Sequence, residues 1–273
     1  MKTVKPLVPL GLAIALLAVA PGLSVDAEPS ATVIKTLDLA KLFATRSAWR
    51  FTATQDAPVP DPTGFQDDKV DGPVHLCLRK APSAPCDPAL KATVANPSDN
   101  DVFLTPHDLA KAEIVHGPSG RPLLFVQAGS VHSGNGDQLV RTQVLSYRAD
   151  GDRFERVYEH VTGHNNNQDV RYIGTGPLKG DIVSVEPTQD APFGFWVVVN
   201  APAAKEQGGG GFKEVLRYRS ATRYGDGNPL AVIDSEMPNM AQRLGLWKPG
   251  APMPLPARAC PKPHLVRMAL WCE

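Results

Sequence analysis

The sequence predicts a mainly β fold: an antiparallel β-sandwich or a partial propeller-like stack of hairpins, with a short N-terminal helix and a short C-terminal helix. One observation is alternation, because WRFTAT at 49–54 places apolar and polar residues with the period of two that a half-buried strand requires. Another is a pair of continuous apolar runs of strand length, PLLFVQA at 122–128 and FGFWVVVN at 193–200, which is typical of central strands.

The same patterns give nine strands along the chain. They are expected at 49–54, 74–79, 122–128, 141–148, 153–162, 181–186, 193–200, 212–222 and 230–234. Asp150-Gly151 separates the fourth strand from the fifth, and this pair favours a tight hairpin because both residues tolerate positive φ.

Helix signals are sparse. The segment 37–44 has an apolar face of about two turns, and 238–246 has an acidic approach, a proline in its first turn and apolar residues at helical spacing. The segment 105–115 fits either a capped helix or a loop that leads into a strand. The proline-, aspartate- and serine-rich segments 55–73 and 80–101 are expected to be ordered loops.

The first 27 residues have the layout of a cleaved secretory signal peptide. Lys2 and Lys5 precede the apolar run 7–20, which is shorter than the roughly 20 residues that a membrane-spanning helix needs. Val25 and Ala27 supply the small side chains before a cut that starts the mature chain at residue 28; cleavage after Ala20 is the alternative. We therefore expect a periplasmic or secreted protein whose single β-rich domain spans 28–273, with no membrane span.

The four cysteines agree with export. Three pairings of Cys77, Cys86, Cys260 and Cys272 are open, and the two local ones, Cys77 with Cys86 and Cys260 with Cys272, are favoured because short loops close most readily. The spacings do not match the paired cysteines of a structural zinc site. The sequence predicts disulfides, no metal and no cofactor.

The charge balance excludes one class of partner. Without Lys2 and Lys5 the 28 basic residues fall to 26, and without Asp26 the 28 acidic residues fall to 27. A protein that binds nucleic acid needs a basic stripe to displace counterions, and the chain has neither a basic run nor a basic segment. No nucleic-acid partner is expected.

One pentapeptide is nearly repeated, as VLSYR at 144–148 and VLRYR at 215–219. An apolar strand and a glycine-bearing loop precede each copy, and an Asp-Gly pair follows each. This context predicts a duplicated hairpin unit around 122–162 and 193–234, in which Tyr147 and Tyr218 occupy equivalent packing positions. The alternative is chance similarity.

No catalytic motif of the common hydrolases or nucleotide-binding proteins is present, so the candidate site rests on three polar loops. The first two loops are expected at the same end of the hairpin formed by 141–148 and 153–162. The candidate ligand-binding residues are His132, Asn135, Asp137, His164, Asn166, Asp169, Arg223, Asp226 and Asn228.

Asn165, Asn167 and Asp169 repeat the oxygen spacing of the first half of a calcium-binding EF-hand, but Val170 replaces the turn glycine. A calcium site of another geometry is one interpretation, and amides that bond their own loop backbone are the other.

The arginines and acids of 218–238 likewise fit either an ion-paired junction that docks the C-terminal helix or a site for an acidic ligand.

Two function classes follow. The first is a noncatalytic exported protein that binds an envelope glycan, peptide or partner protein, and it accounts for the lack of motifs and the low net charge. The second is a hydrolase that acts on an envelope polymer, with His132 or His164 as base and Asp137 or Asp169 as its orienter.

Overall fold

The computed structural model describes residues 31–61, 64, 69–91, 106–132, 138–203, 210–256 and 260–273, so the expected signal peptide lies outside the described residues. Strands make up 46% of the chain and helices 9%, and the strands form several antiparallel sheets. The predicted mainly β fold with few short helices is confirmed.

Fifteen strands and three short helices are present in the described residues. The strands are β1 (Thr32–Asp38), β2 (Arg50–Gln55), β3 (Val59–Pro60), β4 (Lys69–Val70), β5 (Val74–Arg79), β6 (Asp108–His116), β7 (Pro122–Gly129), β8 (Gln138–Arg148), β9 (Arg153–His164), β10 (Asp169–Tyr172), β11 (Ile182–Pro187), β12 (Phe195–Pro202), β13 (Phe212–Ser220), β14 (His264–Val266) and β15 (Ala269–Trp271). The helices are α1 (Leu39–Phe43), α2 (Val232–Ser235) and α3 (Met237–Arg243).

Three larger sheets follow one another along the chain. The N-terminal sheet has the order β1-β2-β5, the middle sheet β6-β7-β8-β9 and the distal sheet β10-β11-β12-β13, all with antiparallel neighbours. In the last two sheets each strand pairs with the next in sequence, as short connections favour. Two two-stranded ribbons, β3-β4 and β14-β15, complete the β structure.

The sheets stack face to face, with a hydrophobic core at each junction. Leu124 and Leu145 of the middle sheet pack with Phe51 of the N-terminal sheet. Phe125 and Val144, which point the other way, pack with residues of the distal sheet. Both faces of the middle sheet are therefore buried, which explains why β7 has a continuous apolar run rather than an alternating one.

The outer face of the distal sheet is covered by α2 and α3. Val197 and Val199 of β12 pack there against Ile233 of α2 and Met240 of α3. Met240 is fully buried, so the short helices close the stack at its C-terminal end.

Three predicted segments differ from the structure. The expected loop 55–73 contains the β3-β4 ribbon, in which Val59–Pro60 pairs with Lys69–Val70. The strand predicted at 230–234 is wrong: α2 begins at Val232, and the β-branched Val232 and Ile233 are helical. Tertiary packing overrides the local preference, since both side chains are buried against the distal sheet. The predicted helix over 37–44 is shorter than expected, because β1 continues to Asp38, whose side chain caps α1 by accepting a hydrogen bond from the Ala40 amide.

In the segment 105–115, which the sequence left open, β6 begins at Asp108. Ala112 and Ile114 pack on the N-terminal side and Val115 on the distal side, so its apolar residues alternate as a strand requires.

Both disulfides join the local pairs, Cys77 with Cys86 and Cys260 with Cys272. The first links β5 to the segment before the 3-10 turn Pro88–Leu90, and the second fastens the end of β15. Leu270 and Cys272 are buried with Leu230, so the second disulfide holds the C-terminus against the start of the helices.

The two copies of the repeated pentapeptide lie in β8 and β13. Each belongs to the later strand of an antiparallel pair, β7-β8 in one sheet and β12-β13 in the other. These pairs occupy the second and third strand positions of the middle sheet and the third and fourth of the distal sheet. The duplication of a hairpin unit stays a prediction.

Candidate functional site

The second predicted loop connects β9 to β10 and is closed by its own amides. Asn165 Oδ1 accepts hydrogen bonds from the backbone N–H groups of Asn167 and Gln168, at 2.8 and 2.9 Å. This is the interpretation in which asparagine saturates its loop backbone. Across the residues that the structure describes, no group of three or more His, Cys, Asp or Glu side chains is arranged to hold a metal ion.

Four charged or titratable side chains form a chain of contacts beside this loop, here called the loop cluster. His164 Nδ1 lies 3.3 Å from Asp169 Oδ1, and Arg171 Nη2 lies 3.1 Å from Asp169 Oδ2. Arg171 Nη1 lies 2.8 Å from Asp234 Oδ1. Since Asp234 belongs to α2, the pair with Arg171 ties that helix to β10, whereas Arg219 of the segment 218–238 pairs with Asp190 instead.

The Asp169 carboxylate sets the protonation of its histidine neighbour. The hydrogen bond that His164 donates to the Asp169 carboxylate raises the pKa of His164 above its ordinary value, and the burial of the ring only partly opposes this. Asp169 is thus placed to orient the imidazole and to favour its protonated form. Among the described residues, the other ring nitrogen of His164 has no hydrogen-bond partner.

The third predicted loop meets the second one. The backbone N–H of Tyr224 donates to Asn167 Oδ1 at 2.7 Å, and the N–H of Val232 donates to the Asn166 carbonyl at 3.1 Å. Asn166, Arg223 and Asp226 have exposed side chains.

Asn228 differs from its neighbours because its side chain is only 1% exposed. Its Nδ2 donates to Ser235 Oγ and to the Leu270 carbonyl, and its Oδ1 accepts from the Leu230 N–H. The Asn228 amide therefore joins α2 to the C-terminal hairpin.

The first predicted loop starts and ends beside the loop cluster. Gln138 pairs with His164 across β8 and β9, so the β7-β8 connection and the β9-β10 connection lie at the same end of the hairpin. Gln138 Nε2 also donates to Asp108 at 3.2 Å and to the Ser130 carbonyl at 2.8 Å. His132 is exposed in this connection, while Asn135 and Asp137 lie outside the described residues.

A second site, which the sequence did not predict, is a cleft between the middle and distal sheets. It has a volume of about 360 Å³ and opens between β9 on one side and β11 to β13 on the other. The side chains that line this cleft include Tyr158, His160, Ser184, Glu186, Asn200 and Arg217.

A β-bulge in β9 aims two of these side chains into the cleft. Val144 pairs with Tyr158 and Leu145 with Arg156, so Val157 is an extra residue on β9. An extra residue reverses the alternation of faces. Tyr158 and His160 therefore point towards the distal sheet, whereas Phe154 of the same strand packs in the core on the opposite face.

Paired polar groups cross the cleft. His160 Nε2 lies 2.6 Å from Glu186 Oε1, and this hydrogen bond holds the pKa of the Glu186 carboxyl below its ordinary value. The Tyr158 hydroxyl is hydrogen-bonded to Ser184, and burial raises its pKa so that the phenol stays protonated. Both pairs join β9 to β11, and they fix the width of the cleft.

The open side of the cleft carries an aromatic and guanidinium surface. Arg217 makes a bidentate pair with Glu214, with Nη2 2.7 Å from Oε2, and its guanidinium carbon lies 5.7 Å from the centre of the Trp196 ring. The guanidinium carbon of Arg219 lies 4.8 Å from the centre of the same ring. The sequence contained a weak signal for the cleft, because Ser184 and Glu186 alternate with the buried Val183 and Val185 in β11.

Comparison with protein-family models, with curated proteins and with solved structures finds no match to this chain. In the part of the chain that the structure describes, no helix is long and apolar enough to cross a bilayer. The loop cluster and the cleft are therefore the two candidate sites of function.

Proposed function

We propose that this protein is an exported, disulfide-stabilised β protein that binds an envelope glycan or peptide in the cleft without altering it chemically. The observation that carries the proposal is the polar cleft of about 360 Å³ between two rigid sheets. A volume of this size suits a few sugar rings or residues, and concave sites with a small set of placed polar groups are typical of ligand pockets.

The lining of the cleft supports binding through hydrogen bonds and ring contacts. The Tyr158 and Phe212 rings meet edge to face, with centroids 5.9 Å apart, and give an apolar wall. Opposite this wall are the Glu186 carboxylate, which accepts, and the Asn200 amide, which both donates and accepts. The Asn200 side chain has no hydrogen-bond partner among the described residues, so its amide is available to a ligand.

A noncatalytic role is supported by the pairing inside the cleft. Catalysis of acyl or glycosyl transfer needs a nucleophile or water held within hydrogen-bond reach of a base. The Ser184 hydroxyl is hydrogen-bonded to Tyr158, and His160 Nε2 faces Glu186 rather than a hydroxyl group. These pairs rigidify the walls, which favours affinity by lowering the ordering cost of binding.

Export is supported by two disulfides, which form in oxidising compartments. The amino-terminal pattern of Lys2, Lys5 and the apolar run 7–20 supports a cleaved signal peptide and a periplasmic or secreted location.

Calorimetric titration of the mature chain tests the binding role. The probes are chitotetraose, as a neutral glycan, and a tetra-alanine peptide. We expect one of them to bind, and Asn200→Ala to weaken its affinity about tenfold, as the loss of one or two hydrogen bonds implies. Glu113→Gln, on an exposed position of β6, is the matched control and keeps full affinity. Binding that survives Asn200→Ala and Glu186→Gln unchanged would move the site away from the cleft.

A second function class is favoured by one observation, the His164–Asp169 pair at 3.3 Å. A carboxylate that orients an imidazole is the arrangement of a general base, and it supports hydrolysis of an envelope polymer at the loop cluster.

Reducing-end and free-amine release from purified peptidoglycan tests the hydrolase. Hydrolysis that is lost in His164→Ala but kept in His75→Ala would favour it, since His75 forms a His–Asp pair with Asp56 on another sheet. If the wild-type chain releases neither reducing ends nor free amines but binds a ligand in the cleft, only the binding role is supported.

A further inference from the structure

The disulfide between Cys77 and Cys86 has a guanidinium group against it. Arg79 Nε and Nη2 lie 3.2 and 3.0 Å from Cys77 Sγ, and Nη2 lies 3.8 Å from Cys86 Sγ. Cys77 and Arg79 are two residues apart on β5, so they share a face of the strand.

The position of Arg79 is fixed by the loop that the disulfide closes. Its Nη1 donates to the Pro82 carbonyl at 3.1 Å, and among the described residues no carboxylate pairs with it. The neighbouring Asp87 carboxylate is engaged elsewhere, because it caps the 3-10 turn by accepting from the Ala89 N–H at 2.9 Å. The positive charge of Arg79 is therefore directed at the sulfur atoms.

The two sulfur atoms of this disulfide differ in their access to solvent. Cys77 is 8% exposed, whereas Cys86 is an exposed residue in the loop after β5. Cys86 is therefore the more accessible half of the disulfide for an external thiolate. Attack at Cys86 makes Cys77 the leaving group, and Cys77 is the sulfur atom beside Arg79.

The second disulfide has different surroundings, and its Cys260 is only partly exposed. Cys272 is 3% exposed and packs with Leu230 and Leu270, and the nearest polar contact of Cys260 Sγ is the Trp271 carbonyl at 3.8 Å. No cationic side chain contacts either sulfur atom among the described residues. The disulfide between Cys260 and Cys272 is therefore an internal control for the rate at which the first disulfide opens.

We propose that Cys86 is a site of thiol–disulfide exchange, at which a small thiol or the thiolate of a dithiol oxidoreductase forms a mixed disulfide. The incoming thiolate attacks Cys86 Sγ, the bond between Cys86 and Cys77 breaks, and its electron pair stays on Cys77 Sγ. Arg79 stabilises that thiolate, and a stabilised leaving group departs faster. No net oxidation or reduction occurs in this step, because one disulfide replaces another.

The fold around the loop tolerates the exchange. The Asp87 N–H donates to the Leu78 carbonyl, and Leu90 is buried in the core between the N-terminal and middle sheets. These contacts keep the 3-10 turn docked after the disulfide opens. The exchange therefore changes the covalent state of Cys86 without unfolding the domain.

Timed exposure of the folded protein to reduced glutathione tests this inference. Aliquots are quenched with acid, alkylated and mapped by mass spectrometry. We expect a glutathione adduct on Cys86, an alkylated Cys77, and intact Cys260–Cys272 at times when most of the first disulfide has opened. Arg79→Gln should slow the opening by about threefold or more, because its leaving group is no longer paired with a cation. Arg148→Gln, at an arginine on another sheet, should not change the rate.

Three outcomes would overturn the inference: an adduct on Cys77, equal rates for the two disulfides, or an Arg79→Gln variant that opens as fast as the wild type. Far-ultraviolet circular dichroism of each variant before exposure confirms that the compared chains are folded. The Asn200→Ala binding result is independent of this experiment, since Asn200 lies in the cleft on another sheet.

Discussion

The two copies of the repeated pentapeptide place their tyrosines against carboxylates in two different regions. In the first, the Tyr147 hydroxyl donates to Asp152 at 2.7 Å, and this carboxylate also accepts from Ser47 at 2.5 Å and from Trp49 Nε1 at 3.0 Å. Asp152 lies in the β8-β9 turn, so it fastens the N-terminal sheet to the middle sheet. A cation, Lys80, lies 3.7 Å away.

In the second region, the Tyr218 hydroxyl donates to Glu236 at 2.6 Å. Glu236 also accepts from Ser220, Thr222 and Asn239, at 2.5, 2.6 and 2.8 Å. Glu236 is 2% exposed and lies between α2 and α3, so it fastens both helices to the distal sheet.

The difference between the two regions is the solvent exposure of the carboxylate. Four neutral donors replace water around Glu236, whereas the Asp152 side chain stays 16% exposed and has a lysine nearby. A buried carboxylate depends on its donors, and the buried Tyr218 and Ser220 depend on it in turn, because little water reaches them. Loss of the Glu236 carboxylate should therefore cost more than loss of the Asp152 carboxylate.

Glu236→Ala should have the largest effect. It leaves the donors on Tyr218, Ser220 and Thr222 without an acceptor, and we expect the free energy of unfolding to fall by about 4 kcal/mol. Urea unfolding followed by fluorescence measures this. Glu113→Gln is the surface control and should stay close to the wild type. A loss below about 1 kcal/mol would show that water replaces the carboxylate and that the site is not dry.

Asp152→Asn should have a smaller effect, about 1 kcal/mol at neutral pH, because solvent screens the turn and competes for its donors. The same urea titration measures it. A loss that equals or exceeds that of Glu236→Ala would break the proposed comparison between the two regions.

The tyrosines give a matched pair. Tyr218→Phe should lower the free energy of unfolding by about 1.5 kcal/mol, since it removes one donor from a buried acceptor. Tyr147→Phe should lower it less, because the Asp152 carboxylate keeps access to water. Equal losses in the two variants would mean that burial does not separate the regions.

The pH dependence sharpens the comparison at Asp152. Hydrogen bonds, the largest from Ser47, hold the pKa of the Asp152 carboxyl well below its ordinary range. A depressed pKa stabilises the fold above the unfolded-state pKa, about 3.9, and this contribution is lost as the pH falls through the folded-state pKa. The wild type should progressively lose its advantage over Asp152→Asn as the pH is lowered from about 4. An advantage that is constant across that range in urea titrations would contradict this.

The smallest expected effect is at the loop cluster. Nuclear magnetic resonance titration should show the pKa of His164 above its ordinary value, and Asp169→Asn should lower it, because Asp169 supplies the hydrogen bond that raises it. A raised pKa stabilises the fold below the unfolded-state value and this contribution is lost as the pH rises through the folded-state value. No shift in His164 would contradict the contact.

Much of the fold could be predicted because alternation and continuous apolar runs report burial directly. The runs in β7 and β12 correspond to sheets buried on both faces, and the Asp150-Gly151 pair marks the turn between β8 and β9. The strand predicted at 230–234 was wrong because β-branched residues also suit a buried helix. β10 was missed because its four residues are too few to show a period.

The candidate site was less predictable for a physical reason. The polar loops were visible because asparagine and aspartate are rare in strands, and Asn165 shows the backbone-bonding role that composition indicates. The cleft was not visible, because a single extra residue, Val157, decides which face of β9 carries Tyr158 and His160. Sequence alternation does not reveal a bulge, and the partner residues Ser184 and Glu186 come from a different sheet.

The most direct test of the proposed function is a map of amide chemical shifts during titration of residues 28–273 with chitotetraose or tetra-alanine, followed by analysis of the recovered ligand. The account predicts the largest shifts at 157–160, at 184–186 and at Asn200, together with an unchanged ligand after prolonged incubation. Shifts confined to His164, Asp169 and Tyr224, or a cleaved ligand, would contradict noncatalytic binding in the cleft.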